Sequence, residues 1–253
     1  MKKVYFTLFI LSIFTLATFA PEASAKERTR SGSYSGKKGS GTFQKTTERS
    51  PGHKSSQTTR TNDKGQQSSR TSERNWDKST GTGTYSSTRT NANGKTVERS
   101  GTVTKTGEGS WTREGTITGP NGKTGTVSKT STKNEDGTRS VDAVYTKPSG
   151  ETVNVDKTIQ KTDTGRSVTG TYATSTGKSG TISEQTTRND DGTRTTTKSI
   201  TNQEGETRQR EIVTTHGEGE VSQQVTTTHA DGTTNTFERG LTFNKVNTPE
   251  TQP

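Results

Sequence analysis

Gly115-Thr116-Ile117-Thr118-Gly119-Pro120-Asn121-Gly122-Lys123-Thr124-Gly125-Thr126-Val127 is the stretch that decides the fold. Pro120-Asn121-Gly122 suits a three-residue hairpin loop, with glycine in the left-handed position that closes it. Folding the chain back on that loop places Gly115 opposite Val127 and Ile117 opposite Gly125. Each bare glycine then meets a bulky partner, reciprocally and on one face, and such pairs fill the gap that a strand glycine leaves. The same rule at Ser175-Thr176-Gly177 sets Gly170 against Ile182 and Tyr172 against Gly180. At Ala92-Asn93-Gly94 it sets Gly83 against Val103 and Tyr85 against Gly101. One such hairpin could be coincidence, but three specify a register.

Working outward, turn-type glycines recur at 52, 65, 81, 94, 109, 122, 137, 150, 165, 177, 192, 205, 219 and 232. Their spacing alternates between short and long steps, which defines a two-strand unit of about 28 residues, a period typical of repeat architectures. Asn and Asp precede many of them, as in Asn134-Glu135-Asp136-Gly137 and Asn189-Asp190-Asp191-Gly192. These side chains start turns by bonding the local backbone. The fold class expected is all-β: a long antiparallel β-meander, curled or doubled over as a sandwich or an open barrel.

The strands alternate strictly, as a pleated strand with two faces requires. From 96 to 132 the even positions are almost entirely Thr and Ser, with Glu98 and Glu114 among them. The odd positions carry Val97, Arg99, Val103, Lys105, Trp111, Arg113, Ile117, Lys123, Val127 and Lys129. The division continues through Arg139, Tyr145 and Lys157. It changes parity near Thr164-Gly165, as a two-residue loop would require, and resumes with Arg166, Tyr172 and Lys178. Val144 and Val213 break the rule. One face is therefore a hydroxyl carpet, and the other is a narrow apolar stripe flanked by Lys and Arg. An isolated flat sheet cannot bury that stripe, so the sheet is expected to curve with the stripe inward. Neither face carries the apolar band that a membrane barrel needs against lipid, so no membrane span is expected after the leader is removed.

Composition alone points elsewhere. From residue 26 onward only 21 residues are Leu, Ile, Val or Phe, and the whole chain carries a net charge of +10. Such a chain is normally disordered. Threonine is a β-branched strand former, however, and the periodicity decides for strands. Residues 26–74 share the turn spacing but have few apolar side chains, and are expected to be weakly ordered. The β-meander is expected over 75–243, and 244–253 reads as a flexible tail. The start, Met1-Lys2-Lys3 followed by an apolar run and Ala23-Ser24-Ala25, reads as a secretory signal peptide over 1–25. Export is therefore expected, to the periplasm, the cell surface or the medium. The chain contains no cysteine, which excludes disulfides, thiolate metal sites and a lipid-modified N-terminal Cys.

No catalytic constellation emerges. His53, His216 and His229 are scattered beside turn glycines, and the turn aspartates already explain themselves as turn formers. No cofactor, no metal and no enzymatic activity are expected. The candidate surface is the basic face, comprising Arg99, Lys105, Trp111, Arg113, Lys123, Lys129, Arg139, Tyr145, Lys157, Arg166, Tyr172 and Lys178. Cations interleaved with aromatic rings suit anionic partners such as envelope glycans, polysaccharides or extracellular nucleic acid. The same residues could also simply rim the stripe, their stems covering it and their heads in water.

The Asn-Gly-Lys-Thr turns at Asn93–Thr96 and Asn121–Thr124 resemble those of secreted bacterial Thr/Gly-rich β-hairpin repeat proteins. There is a passing similarity to Rhs/YD-type repeats, whose Tyr-Asp dipeptide is absent here. The resemblance covers about 80 to 240 and carries no function with it. Two functional classes follow from the residues. The first is an exported structural or surface-associated protein that binds anionic polymers or its own copies. The second is a soluble ligand-binding β-module using the inner face of a curled sheet. The Thr-x-Thr grid on the other face also resembles that of ice-binding β-solenoids.

Overall fold

The computed structural model describes residues 25–37 and 39–244. The expected signal peptide, apart from Ala25, and the tail beyond Asn244 lie outside them. Sixteen antiparallel strands follow one another as a meander: β1 (Lys26–Ser35), β2 (Gly41–Ser50), β3 (His53–Asn62), β4 (Gln67–Asp77), β5 (Thr82–Thr90), β6 (Thr96–Gly107), β7 (Ser110–Thr118) and β8 (Thr124–Lys133). The second half continues as β9 (Arg139–Thr146), β10 (Thr152–Thr162), β11 (Gly165–Thr174), β12 (Ser179–Arg188), β13 (Arg194–Asn202), β14 (Thr207–Gly217), β15 (Glu220–Thr228) and β16 (Thr234–Phe243).

The sheet closes on itself, and here the structure corrects the sandwich and open-barrel alternatives. β1 pairs with β16 over four residues, from Gly32↔Phe243 to Ser35↔Gly240, and this short seam joins the two ends of the meander. The seam covers part of the edge that an open sheet would expose, while residues 26–31 of β1 pair with β2 alone. Each strand approaches only the two strands to which it is hydrogen-bonded, so no second layer packs across the interior. Sixteen strands in a barrel leave an aqueous channel rather than a filled core. The apolar stripe is accordingly only partly covered, and the buried hydrophobic side chains among the described residues are Val141, Ala143, Val168 and Val225.

The glycine-to-bulky register is present at all three hairpins from which it was read. Gly115 pairs with Val127 and Ile117 with Gly125. Gly170 pairs with Ile182 and Tyr172 with Gly180. Gly83 pairs with Val103 and Tyr85 with Gly101. The Pro120-Asn121-Gly122 loop closes as expected, Gly122 N–H donating to Gly119 O at 3.0 Å and Gly119 N–H to Lys123 O at 2.9 Å. Gly122 has φ 74°, which only glycine takes without strain. Gly165 differs from its reading as a turn glycine. It opens β11 opposite Thr162, after the two-residue loop Asp163-Thr164 that changes the numbering parity.

Residues 26–74, read as weakly ordered, carry β1 to β3 and most of β4. Apolar side chains are not what holds them. β2, β3 and β4 each sit in a ladder on both sides, and closure through β16 gives residues 32–35 of β1 a neighbour that an open meander would deny them.

Which face looks inward follows from chirality and register. The Gly119–Lys123 bond means that the odd residues of β7 direct their N–H and C=O groups toward β8. For L-residues, a viewer facing the Ile117 side chain with β7 running upward then sees β8 on the right. The registers of the sixteen strand pairs, combined once round the barrel, add to an offset of about 20 residues along the direction of β1, so from that side the strands lean to the upper left. The natural strand twist makes barrel strands lean to the upper right when seen from outside. The viewer is therefore inside, and the face of Ile117 lines the lumen. That advance corresponds to a strand tilt of roughly 40–45° and, at about 4.8 Å between strands, a radius of roughly 15 Å.

Candidate functional site

The pairing rows sort every charge in the wall. Among the described residues, every Lys and Arg that lies within a strand shares the lumen face. The strand acids take the other side: Glu27, Glu48, Glu73, Asp77, Glu98, Glu114, Asp142, Asp156, Glu211, Glu220 and Glu238 all pair within the hydroxyl rows of the outer face. Glu184 alone points inward. Its carboxylate accepts from Arg166 Nη2 at 2.6 Å and from Lys198 Nζ at 2.7 Å. Burial pulls that carboxyl upward, but the bonds from Lys198 and Arg166 outweigh it and leave it below the usual glutamate range.

Ten of the twelve candidate residues stand on strands of this lumen wall. They are Arg99 and Lys105 on β6, Trp111 and Arg113 on β7, Lys129 on β8, Arg139 and Tyr145 on β9, Lys157 on β10, and Arg166 and Tyr172 on β11. Lys123 and Lys178 lie in hairpins, each one residue before its strand. Lys129 is directly opposite Arg113 and is crowded by Lys157 and Arg139. Burial first, and then those three cations, hold its ammonium below the usual lysine range. Sixteen strands spread these residues over an arc from β6 to β11, so they form a wall and not a point site.

Aromatic rings lie across the lumen glycines. The Tyr85 hydroxyl reaches over β6 to donate to Glu114 O on β7 at 3.2 Å, and the Arg113 guanidinium stacks on its ring, 4.0 Å from the centroid. Trp76 on β4 and Trp111 on β7 meet with ring centroids 5.3 Å apart, above the two strands between them. The concave side makes that approach easy, since inward side chains converge. Side-chain hydroxyl bonds on the outer face run between adjacent strands, as in Thr118–Thr124 at 3.0 Å and Thr201–Thr207 at 2.8 Å.

The sequence reading misses the lumen cations of β1 to β4, among them Arg30, Lys45 and Arg70, because residues 26–74 have few apolar side chains, and it leaves out Arg89 on β5, which lies within the expected meander. The Lys and Arg of residues 26–74 nevertheless keep one parity within each strand, the signal that marks the face. Among the described residues no group of three or more His, Asp or Glu side chains lies close enough to hold a metal ion. No known protein family, curated protein or solved structure matches the chain.

Proposed function

We propose that the protein is an exported binder of anionic polymers, and that it holds them in the lumen of its barrel. The observation that carries this reading is the segregation of charge: the strand cations face inward, with Glu184 as their one acidic companion. Like charges this close repel, and a channel lined by one sign concentrates counter-ions of the other. A wall that only needed solubility would place its cations outside, where they are best hydrated. Here the hydroxyl-rich outer face carries acids instead, and that surface also argues against a barrel set in lipid.

Export rests on the leader-like sequence of Met1–Ala25. A binding role is preferred to an enzymatic one because the lumen offers repeated cations and stacked rings, and His53 and His229 are engaged by neighbours at the hairpins.

The test is retention of the mature chain on immobilised anionic polymers across a salt series. Binding should weaken steeply and linearly in log–log form as salt rises, since each neutralised charge releases a counter-ion. Retention that ignores salt would refute the electrostatic reading.

A further inference from the structure

Two ladders of cations cross the lumen wall, one over β1 to β4 and one over β1 to β5, and a row of hydroxyls runs between them. In the first ladder Lys26, Arg49, Lys54 and Arg74 stand side by side on four adjacent strands. In the second, Arg30 and Lys45 are followed across Thr58 by Arg70 and Arg89. The row midway between them runs Arg28, Thr47, Ser56, Ser72 and Ser87, with the Ser56 and Ser72 hydroxyls 2.8 Å apart.

The space is real on both sides of the second ladder. A cavity of about 310 Å³ opens between the ladders, lined by Lys26, Arg28, Arg30, Lys45, Arg49 and Lys54. Beyond Arg30 and Lys45 a second, of about 470 Å³, reaches Arg70 and Arg89 and ends against Phe43 and Phe243. None of these cations forms an ion pair among the described residues. The acids of the same strands, Glu27, Glu48, Glu73 and Asp77, face outward. Repulsion by Arg49, with some desolvation and the fields of Arg74 and Lys45, holds the Lys54 ammonium below its usual range.

We infer that this groove is a binding site for a linear chain of phosphate groups, lying across β1 to β5 with charges flanked by both ladders. The inference deepens the polymer-binding proposal and rests on it. Each phosphate within a chain turns its two non-bridging oxygens to opposite sides of the chain, so one can accept from each flanking ladder and either can also accept from a serine hydroxyl. A planar carboxylate has two oxygens in one plane and satisfies one flank well. Arginine forks add bidentate geometry on both sides. A lumen about 15 Å in radius at the backbone leaves room for an extended chain against this wall.

The experiment compares the whole mature chain with two triple variants of equal charge, each confirmed as folded by circular dichroism. One is Lys45→Gln/Arg70→Gln/Arg89→Gln in the ladder. The other is Lys133→Gln/Lys161→Gln/Arg188→Gln elsewhere on the lumen wall. The probes are inorganic polyphosphate, a single-stranded oligodeoxynucleotide and a polyuronate of matched charge. The ladder variant should weaken polyphosphate or oligonucleotide binding by more than tenfold and lower the log–log salt slope by about 2. The control variant should change affinity by no more than about threefold. Binding of both phosphate probes identifies a phosphodiester as sufficient, and binding of polyphosphate alone assigns the denser chain; either supports the site. Equal losses in the two variants, or a polyuronate bound as tightly as the phosphates, would overturn the groove while leaving the polymer-binding lumen intact. Failure of the unmodified chain to bind any of the three would remove both.

Discussion

The Tyr85 hydroxyl occupies the space that a side chain on Gly115 would need. Tyr85 lies on β5 and Gly115 on β7, and the ring passes over Gly101 of β6 to reach the Glu114 carbonyl. A Cβ built on Gly115 would run into that hydroxyl and would sit 2.5 Å from the Ser100 carbonyl oxygen. Gly115→Ala is therefore expected to destabilise the barrel by about 1–3 kcal/mol, the cost of overpacking a well-fitted site. Chemical denaturation of the variant checks it. Tyr85→Ala in the same background should recover only part of the loss, because the backbone oxygen remains. An unchanged midpoint for the single variant would show that the ring does not lie where the register puts it.

Among the described residues Glu184 is the lumen's one strand acid, and Arg166 and Lys198 both donate to it. Glu184→Gln removes the charge and keeps the shape, leaving two cations facing each other across β12. With those partners about half exposed, the expected loss is about 1–2 kcal/mol near neutral pH. The sign with pH is fixed by the lowered carboxyl. The stability it contributes is full above the ordinary glutamate value of 4.5 and disappears as pH falls through the folded value. Unmodified protein and variant should converge once the pH has fallen below that folded value. A gap that persists there would assign the effect to shape rather than charge.

Asp136, Asp191 and Asp231 repeat one hairpin device. In each, the threonine two residues on donates its hydroxyl and its backbone N–H to the same carboxylate oxygen, at 2.6 and 2.9 Å for Asp136. Those bonds, the hydroxyl first, hold all three carboxyls below the ordinary value of 3.8. Their contribution is present above about pH 4 and is lost as pH falls through the lowered values. Replacing all three with Asn is expected to flatten the acid limb of the stability profile and to leave the limb above pH 6 parallel to the original. Equal slopes below pH 4 would argue that the turns are not held by charged carboxylates.

The faces, the hairpin register and the parity change were legible in the sequence because strand periodicity is local: two residues on, the side chain returns to the same face. Gly115, Val127, Tyr172 and Gly180 needed no long-range information. Closure was not legible. The Gly32–Phe243 pair joins the two ends of the meander, and no local pattern specifies it. It follows from the gradual stagger of every strand on the last. The β1 to β4 strands escaped for a related reason. Apolar content predicts strands that must earn a core, whereas His53–Asn62 is held by ladders on both sides. The cation ladders were hidden with them, since Arg30 and Lys45 become neighbours only once β1 and β2 are paired.

Lys129 carries a cost that the lumen imposes. Burial and the adjacent Arg113, Lys157 and Arg139 lower its affinity for a proton in the folded state. The unfolded chain then binds more protons between the lowered value and 10.5, so folding stability should rise with pH across that window. Lys129→Met is expected to stabilise the protein at pH 7 and to abolish this part of the rise. A bound polyanion should remove the advantage of the variant, because it neutralises the same crowding. Denaturation at neutral and alkaline pH, with and without polyphosphate, reads both. A variant less stable than its parent at pH 7 would mean that the lysine stem contributes more by packing than its charge removes.

The inward assignment of the basic face has a direct chemical test. Thr171 and Arg99 lie on opposite faces of the wall, and the chain has no native cysteine to interfere. Thr171→Cys should react at similar rates with a small maleimide and with one carrying a large polymer. Arg99→Cys should react with the small reagent but at least about tenfold more slowly with the large one, because a lumen roughly 15 Å in radius restricts entry. Opening the seam supplies the internal control. Ser33→Pro removes a backbone donor where β1 meets β16, within a pairing only four residues long. In that background the large reagent should gain access to Arg99→Cys while its rate at Thr171→Cys stays the same. Equal reaction of the large reagent at both sites in the unopened protein would mean that the cations face the solvent outside. The polymer-binding lumen would then have to be abandoned in favour of an external surface.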